Sequence, residues 1–456
     1  MDGSKRKFLK QGAATLGGAV MARLGGDLPA AAAAHDDDAA TNWAGNLTYQ
    51  TRERHHPRSV DEVRALVGSR DRLKALGTRH CFNGIADSRH AHLSLRGMSG
   101  VTEADREAGT VTVEAGASYG QLCPELHARG LALHNLASLP HISVAGACAT
   151  ATHGSGDGNG NLATAVSGLE IVTAAGDVLQ LSRARDGETF QGAVVHLGAL
   201  GVVTKVTLDT QPAFQMRQDV YLDLPMAAVE EHFEEIVSSG YSVSLFTDWR
   251  DRNVAEVWVK RRVEPGVELE TAAQIHGATL ATRDVHPIVD LSAEHCTEQR
   301  GVVGPWYERL PHFRMGFTPS SGEELQSEYF VPRRSAVEAI LAVEALGEQV
   351  SPHLLISELR TIAADDLWMS TCYGRDSLAI HFTWKPDWEA VRRLLPLIER
   401  ELGPFGVRPH WGKLFTLAPA ELQARYERLD AFKQLAARLD PQGKFRNEFL
   451  ATNLYG

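Results

Sequence analysis

The stretch Gly77-Thr78-Arg79-His80-Cys81-Phe82-Asn83, set directly behind Leu73-Lys74-Ala75-Leu76, decides how this chain is read. Leu73 to Leu76 predict a short buried strand that ends at Gly77. A glycine there lets the backbone turn closely around a ligand, and successive amides in such a turn can point at a pyrophosphate. His80 in the turn is a candidate covalent anchor for a cofactor, although a single loop histidine is more often merely solvated.

Outward from this turn the pattern alternates between helical and extended periods from about Asn42 to Pro212. Ser59 with Glu62 reads as a capping box that opens a helix through Val67. Val111 to Ala115 predicts a strand, and Tyr119 to Arg129 a helix stopped by Gly130. Leu169 to Leu181 predicts a hairpin around Ala174-Ala175-Gly176-Asp177, and Val202 to Leu208 a closing strand. Residues 42–212 are thus expected to form an α+β domain with glycine-rich loops at strand ends. Two such loops stand out, Ala137 to Gly146 and Thr150 to Gly156, where small residues would let the backbone lie against a large planar ligand. Gly154, Gly156, Gly158 and Gly160 lack the G-x-G-x-x-G spacing, and no apolar strand leads into them, so a Rossmann fingerprint is excluded.

Beyond Pro212 longer strands are predicted at Tyr241 to Phe246, Val254 to Val259, Leu354 to Ile362 and Ala379 to Trp384, with helices at Ser335 to Leu346 and Trp388 to Leu402. A sheet covered by helices fits residues 213–403. Glu358 and Arg360 share one face of their strand, and His381 and Thr383 one face of theirs, opposite Ile380, Phe382 and Trp384. An acceptor, a cation, an imidazole and a hydroxyl gathered this way suit a ligand with several hydroxyls. A surface ion pair with ordinary strand residues is the plainer alternative. The segment 404–456 carries His410-Trp411-Gly412-Lys413 and a helix through Leu439.

Taken together, these places resemble the FAD-linked oxidases of the vanillyl-alcohol oxidase type, and within them the alditol (xylitol) oxidases, with sugar-lactone oxidases as near relatives. The likeness runs from Asn42-Trp43-Ala44-Gly45-Asn46 to Phe449. It is most specific at 137–146, 152–156, Ser244 to Trp249, Glu324 to Tyr329 and Arg408 to Lys413. It implies a two-domain α+β flavoenzyme with FAD attached covalently through His80. Ala75, Leu76, Gly77, Thr78, Arg79, His80, Cys81, Ser138, Ser143, Gly146, Ala149, Thr150, Ala151, Thr152, His153, Val203 and His410 match cofactor-binding positions. Ser138, Glu358, Arg360, Thr383 and Lys413 match substrate-binding positions, and Arg360, Lys413 and His381 the catalytic group. The implied reaction oxidises a sugar alcohol at C1 to an aldose and reduces oxygen to hydrogen peroxide. Alternatives are a sugar-lactone or other carbohydrate oxidase or dehydrogenase of the same fold, or an exported carbohydrate-binding protein without catalysis. Arg79 stands where many relatives have glycine, and Cys81 where serine is usual.

Composition narrows the partners. Residues 1–34 run from basic (Lys5, Arg6, Lys7, Lys10) through apolar (Ala13 to Leu24) to small (Ala30 to Ala34), the order of an export signal. Ser4 to Lys10 resembles a twin-arginine signal with Lys5 in place of its first arginine. The net charge is −11. Without residues 1–34 it becomes about −14, which repels phosphate backbones and argues against nucleic acid as a partner. The apolar part of the signal is too short for a membrane span. Cys81, Cys123, Cys148, Cys296 and Cys372 form no CxxC pair, so neither a zinc site nor a disulfide framework is expected. The working form is expected to be an exported monomer that acts on a small polyol with oxygen and uses no metal.

Overall fold

The computed structural model describes residues 40–267, 269–288, 290–316 and 324–456, so residues 1–34, where an export signal is expected, lie outside the described residues. The first sheet has five antiparallel strands in the order Val101–Asp105, Thr110–Glu114, Val202–Asp209, Val166–Val172 and Val178–Ser182. The last two form the predicted hairpin, with Gly176 at φ +84° in its turn. Helices Val60–Gly68 and Tyr119–Ala128 stand where the sequence puts them. Ser59 Oγ accepts from Glu62 N at 3.2 Å, while the Glu62 carboxylate reaches back to Arg58 N, one residue before the expected closure of the capping box. Val111, Val113, Leu122, Leu126, Ile171 and Val206 fill the core beneath this sheet.

The strand expected at 73–76 is shorter than its apolar run suggests. Only Lys74–Ala75 pairs, parallel to His92–Leu93, in a small sheet completed by Arg54–His55. Lys74 is buried and donates from Nζ to Leu197 O (3.2 Å), Gly198 O (2.9 Å) and Phe445 O (3.3 Å). Three carbonyls answer the three ammonium protons and tie this strand to a loop and to the C-terminal segment. That segment ends its helix Leu429–Leu439 at the predicted residue and returns Phe432, Leu435, Phe445 and Leu450 to the first core.

Among the described residues the second sheet has ten strands. Its long members run Gln215–Pro225, Asn253–Val263, Ser242–Thr247, Leu354–Ile362, Ser377–Trp384 and Leu325–Pro332 in spatial order, mutually antiparallel. Two of these, Gln215–Pro225 and Leu325–Pro332, are not predicted as strands, because buried polar residues interrupt their apolar alternation. Gln218 and Asp219 are both buried, and Asp219 pairs with Arg217 at 2.9 Å. In the other strand Ser327 accepts from Trp384 Nε1 at 3.0 Å, next to buried Glu328.

Helices Met226–Val237, Ala336–Glu344 and Trp388–Leu402 place Val229, Phe233, Ile340, Leu395 and Ile398 in one core with Leu359, Ile380, Phe382 and Trp384 from the sheet. Period-two alternation therefore sends Glu328, Glu358, Arg360, His381 and Thr383 to the opposite face. The five cysteines are all free thiols. No helix among the described residues is long and apolar enough to cross a membrane.

The two faces should respond differently to truncation. Ile380→Ala is expected to lower stability by about 2–5 kcal/mol through lost burial and a residual cavity. Thr383→Ala on the other face is expected to change stability by less than about 1 kcal/mol. Denaturant unfolding of the two variants beside the parent checks the assignment.

Candidate active site

His80 lies in a loop clamped from both sides by backbone hydrogen bonds. On one side Trp43 N donates to Arg79 O (2.8 Å), Asn42 Nδ2 to Cys81 O (2.9 Å) and Asn46 Nδ2 to Phe82 O (2.9 Å). On the other side Phe82 N donates to Gly412 O (2.7 Å), and Asn83 Nδ2 to Trp411 O (2.9 Å) and Lys413 O (2.6 Å). The Trp43 indole stacks on the His80 ring, 5.1 Å between centroids and 21° between planes. The loop thus fixes His80 and, through Asn83, the backbone that carries His410 and Lys413.

Arg79 has φ +66°, a left-handed conformation that glycine adopts at least cost, which accounts physically for glycine in relatives. Its guanidinium donates to Thr41 O at 2.8 Å and so turns toward the 42–46 side of the clamp. A Cβ on Gly412 would stand 3.1 Å from Cys81 Sγ, so that sulfur packs against the 410–413 turn. Burial pushes the Cys81 thiol up to about 12, which makes it a packing group and a poor nucleophile.

Beside the loop runs a shelf of small residues. Ser143 N donates to Thr78 Oγ1 at 3.1 Å, and a Cβ on Gly77 or Gly146 would stand 2.9 or 2.7 Å from Ser143 Oγ. Side chains are excluded there, while Gly77 is exposed and Thr78 to Cys81, Ala145, Gly146 and Thr152 are half-buried. Ala151 takes φ +54°, and Leu197 N donates to Ala149 O at 3.1 Å. Thr150 Oγ1 and Thr152 Oγ1 are 3.2 Å apart, while Val203 is buried in the first core. An accessible shelf of small residues beside a clamped histidine fits FAD, with 75–81, 143–146, 149–153 and His410 as the residues to hold it.

The polar face of the second sheet supplies the rest. Glu328, His381 and Glu358 are cross-strand neighbours, and Ser244 pairs with Arg360. Glu328 is at the centre: Oε1 accepts from Arg360 Nη2 at 2.6 Å, Oε2 accepts from Lys413 Nζ at 2.8 Å, and His153 Nε2 lies 3.1 Å from Oε1. Arg360 Nη1 donates to Ser138 Oγ at 3.4 Å, and its Nε is 3.6 Å from Glu358 Oε2. His381 Nε2 is 3.1 Å from Gln326 Oε1, whose amide nitrogen donates to Glu324 at 2.6 Å. That second bond fixes the amide, so His381 carries its proton on Nε2 and leaves Nδ1 unprotonated. Thr383 lies two residues further along the same face. Arg360 Nε and Ser244 Oγ are buried without a hydrogen-bond partner among the described residues, which marks this face as built for a polar ligand.

The charges balance. Burial would raise the Glu328 carboxyl, but Lys413, His153 and Arg360 hold it well below its ordinary range. Glu358 is held low against the same burial by Arg360 and His312. Lys413 is lowered by burial and partly restored by Glu328, and burial keeps His153, His381 and His410 below the usual histidine range. Two carboxylates therefore face two cations among neutral imidazoles. Hydrogen bonds and ion pairs through Arg360 and Glu328 bring Ser138, Glu358, Arg360 and Lys413 together, and Thr383 shares their face of the sheet. Sequence reasoning gives Glu328, Ser244 and Trp43 no role, although all three lie in segments it singles out. It does not reach His312, which donates from Nε2 to Glu358 Oε1 at 2.7 Å.

Residues 55–182 match the family described as FAD binding domain, and residues 206–453 the family described as D-arabinono-1,4-lactone oxidase. The chain is 48% identical over 422 residues to an alditol oxidase of a Streptomyces species, covering 92% of this chain and 99% of that one. It is 29% identical to an L-gulono-1,4-lactone dehydrogenase of Mycobacterium tuberculosis, over 90% of this chain and 97% of that one. An L-gulonolactone oxidase of Bos taurus is 28% identical, over 91% and 98% of the two chains. Among solved structures, a cholesterol oxidase from B. sterolicum superimposes with TM-score 0.74 at 15% identity, over 91% of this chain and 96% of that one, which shows a shared fold.

Removal of the central carboxylate tests the cluster. Glu328→Gln leaves buried Arg360 and partly buried Lys413 facing Glu358 as the remaining carboxylate, with one positive charge uncompensated, and is expected to cost about 3–5 kcal/mol at neutral pH. Because the native carboxyl is depressed, its contribution is complete above the unfolded value of 4.5 and is lost as pH falls below it. The stability difference between parent and variant, followed by thermal unfolding from pH 7 to pH 3, should therefore shrink toward the acid end.

Proposed function

The chain belongs to the FAD-linked oxidase family that contains alditol and aldonolactone oxidases, and we propose that it oxidises a sugar alcohol at a terminal carbon to an aldose, with FAD bound covalently through His80. The observation that carries this reading is the polar face around Glu328, Glu358, Arg360 and Lys413, where Arg360 Nε, 3.6 Å from Glu358, and Ser244 Oγ have no hydrogen-bond partner among the described residues. FAD, when bound, supplies the acceptor for the hydride that leaves C1.

The protein's own groups do the rest. Glu358 and Ser138 hold hydroxyls along the polyol, and Thr383 and Ser244 are placed on the same face to add to them. Arg360 and Lys413 stand where the reacting hydroxyl loses its proton, and their charge favours the developing alkoxide more than the neutral alcohol. His381, kept neutral and unprotonated on Nδ1, is the group suited to accept that proton. Glu328 positions both cations without spending its own charge on the substrate. Molecular oxygen as the final acceptor, a monomeric working unit and export through residues 1–34 complete the proposal.

Two measurements test it. Flavin should remain on the polypeptide after acid denaturation and be released from His80→Ala, since only a covalent bond survives loss of the fold; flavin extracted intact from the parent rejects the attachment. Lys413→Ala should slow anaerobic flavin reduction by xylitol about 100-fold, the scale seen when one preorganised charge-stabilising group is lost. Reduction at the parent rate with flavin still bound would remove Lys413 from catalysis.

A further inference from the structure

Behind Glu358 lies a buried lysine that the proposed chemistry leaves unused. Lys260, on the strand Asn253–Val263, is 0% exposed. Its Nζ reaches Leu310 O at 2.6 Å, Pro311 O at 3.0 Å and His312 Nδ1 at 3.2 Å. On its other side the His312 ring contacts Glu358 through Nε2, 2.7 Å from Oε1.

Hydrogen-bond accounting fixes the protons along this chain. The two carbonyls and the Glu358 carboxylate can only accept. An ammonium has three protons, two for the carbonyls and one for His312 Nδ1, so Nδ1 is the lone-pair nitrogen and Nε2 carries the proton given to Glu358. A neutral amine has only two protons. Both would go to the carbonyls, its lone pair would face the ring, and His312 would have to be protonated on Nδ1, which turns an Nε2 lone pair toward a carboxylate. With His312 neutral, as burial and Lys260 hold it, only the charged lysine satisfies all four contacts.

The other buried lysine shows what is unusual here. Lys74 gives its three protons to three backbone carbonyls and acts as a staple. At Lys260 the third acceptor is a side chain that leads to the substrate face. His312 is itself held in place: its ring meets Trp258 and Phe246 edge-on at 5.2 and 5.5 Å, and its amide donates to Ser138 O at 3.2 Å.

We propose that Lys260 and His312 are positioning residues for substrate binding, the Lys260 ammonium fixing His312 as the Nε2–H tautomer and His312 holding the Glu358 carboxylate in the orientation that receives a polyol hydroxyl. This rests on the reading that Glu358 accepts a substrate hydroxyl. Burial lowers Lys260 to about 7, with Glu358 and Cys296 drawing it up and Arg309 pressing it down. His312, lowered to about 4 by burial and by Lys260, stays neutral. The relay is therefore intact on the acid side of neutrality and opens as Lys260 loses its proton above it.

Anaerobic calorimetric titration of the chemically reduced holoenzyme with xylitol reads affinity without turnover. The parent should bind several-fold more weakly at pH 8.5 than at pH 6.5. Lys260→Met should bind about tenfold more weakly at pH 6.5 and lose the pH dependence, in line with loss of a hydrogen bond to a charged group. His312→Leu should match that loss, and His312→Gln, whose amide can donate to Glu358, should recover most of it, which separates positioning from general packing should Lys260→Met fold poorly. Parent-like affinity in Lys260→Met and His312→Leu, alongside weakened binding in Glu358→Gln, overturns the relay alone. Unchanged affinity in Glu358→Gln overturns the underlying reading and the relay with it.

Discussion

A single buried carboxylate, Glu328, joins parts of the chain that sequence keeps far apart. Its two oxygens hold Arg360, two strands away across the sheet, and Lys413 from the C-terminal turn, with His153 of the glycine-rich loop against one of them. Taking these charges out of water is costly, and an apolar replacement of the same volume would often be at least as stable. What the ion cluster supplies instead is placement. Two cations are held at defined points on one face of a sheet, where their charge can act on a bound hydroxyl.

The remainder of the site is organised around that cluster. The second sheet has two unlike faces: one is covered by three helices over an apolar core, and the other sets the polar cluster beside a smaller apolar group of Val220, Phe246, Trp258 and Ile356. The loop 79–83 is held between the 42–46 and 410–413 segments, which ties the backbone around His80 to the backbone that carries Lys413. Neutral imidazoles at His153, His381 and His410 keep the charge count even.

Alternation made much of this legible in the sequence. Glu358 with Arg360, and His381 with Thr383 opposite Ile380, Phe382 and Trp384, take the faces that a period of two dictates, and Trp388–Leu402 ends where its apolar pattern ends. Glu328 was not legible, because its meaning lies in cross-strand register with His381 and in a contact to Lys413, 85 residues away. The strand Gln215–Pro225 was hidden by Gln218 and Asp219, whose polar side chains take partners that folding brings near, Thr297 O for one and Arg261 for the other. Lys260 reads in sequence as an ordinary strand lysine, and His312 as a residue of an irregular segment; only the folded chain places one behind the other. Arg79 and Cys81, the two departures from the family pattern, prove compatible with the loop because one side chain turns to Thr41 and the other packs on Gly412.

The central claim, that this polar face is built for an open-chain polyol, is tested most directly by mixing the oxidised holoenzyme anaerobically with xylitol or with L-gulono-1,4-lactone and following flavin absorbance. Rapid, complete bleaching by xylitol and slow or negligible bleaching by the lactone are expected. Bleaching by the lactone with xylitol inert would contradict it.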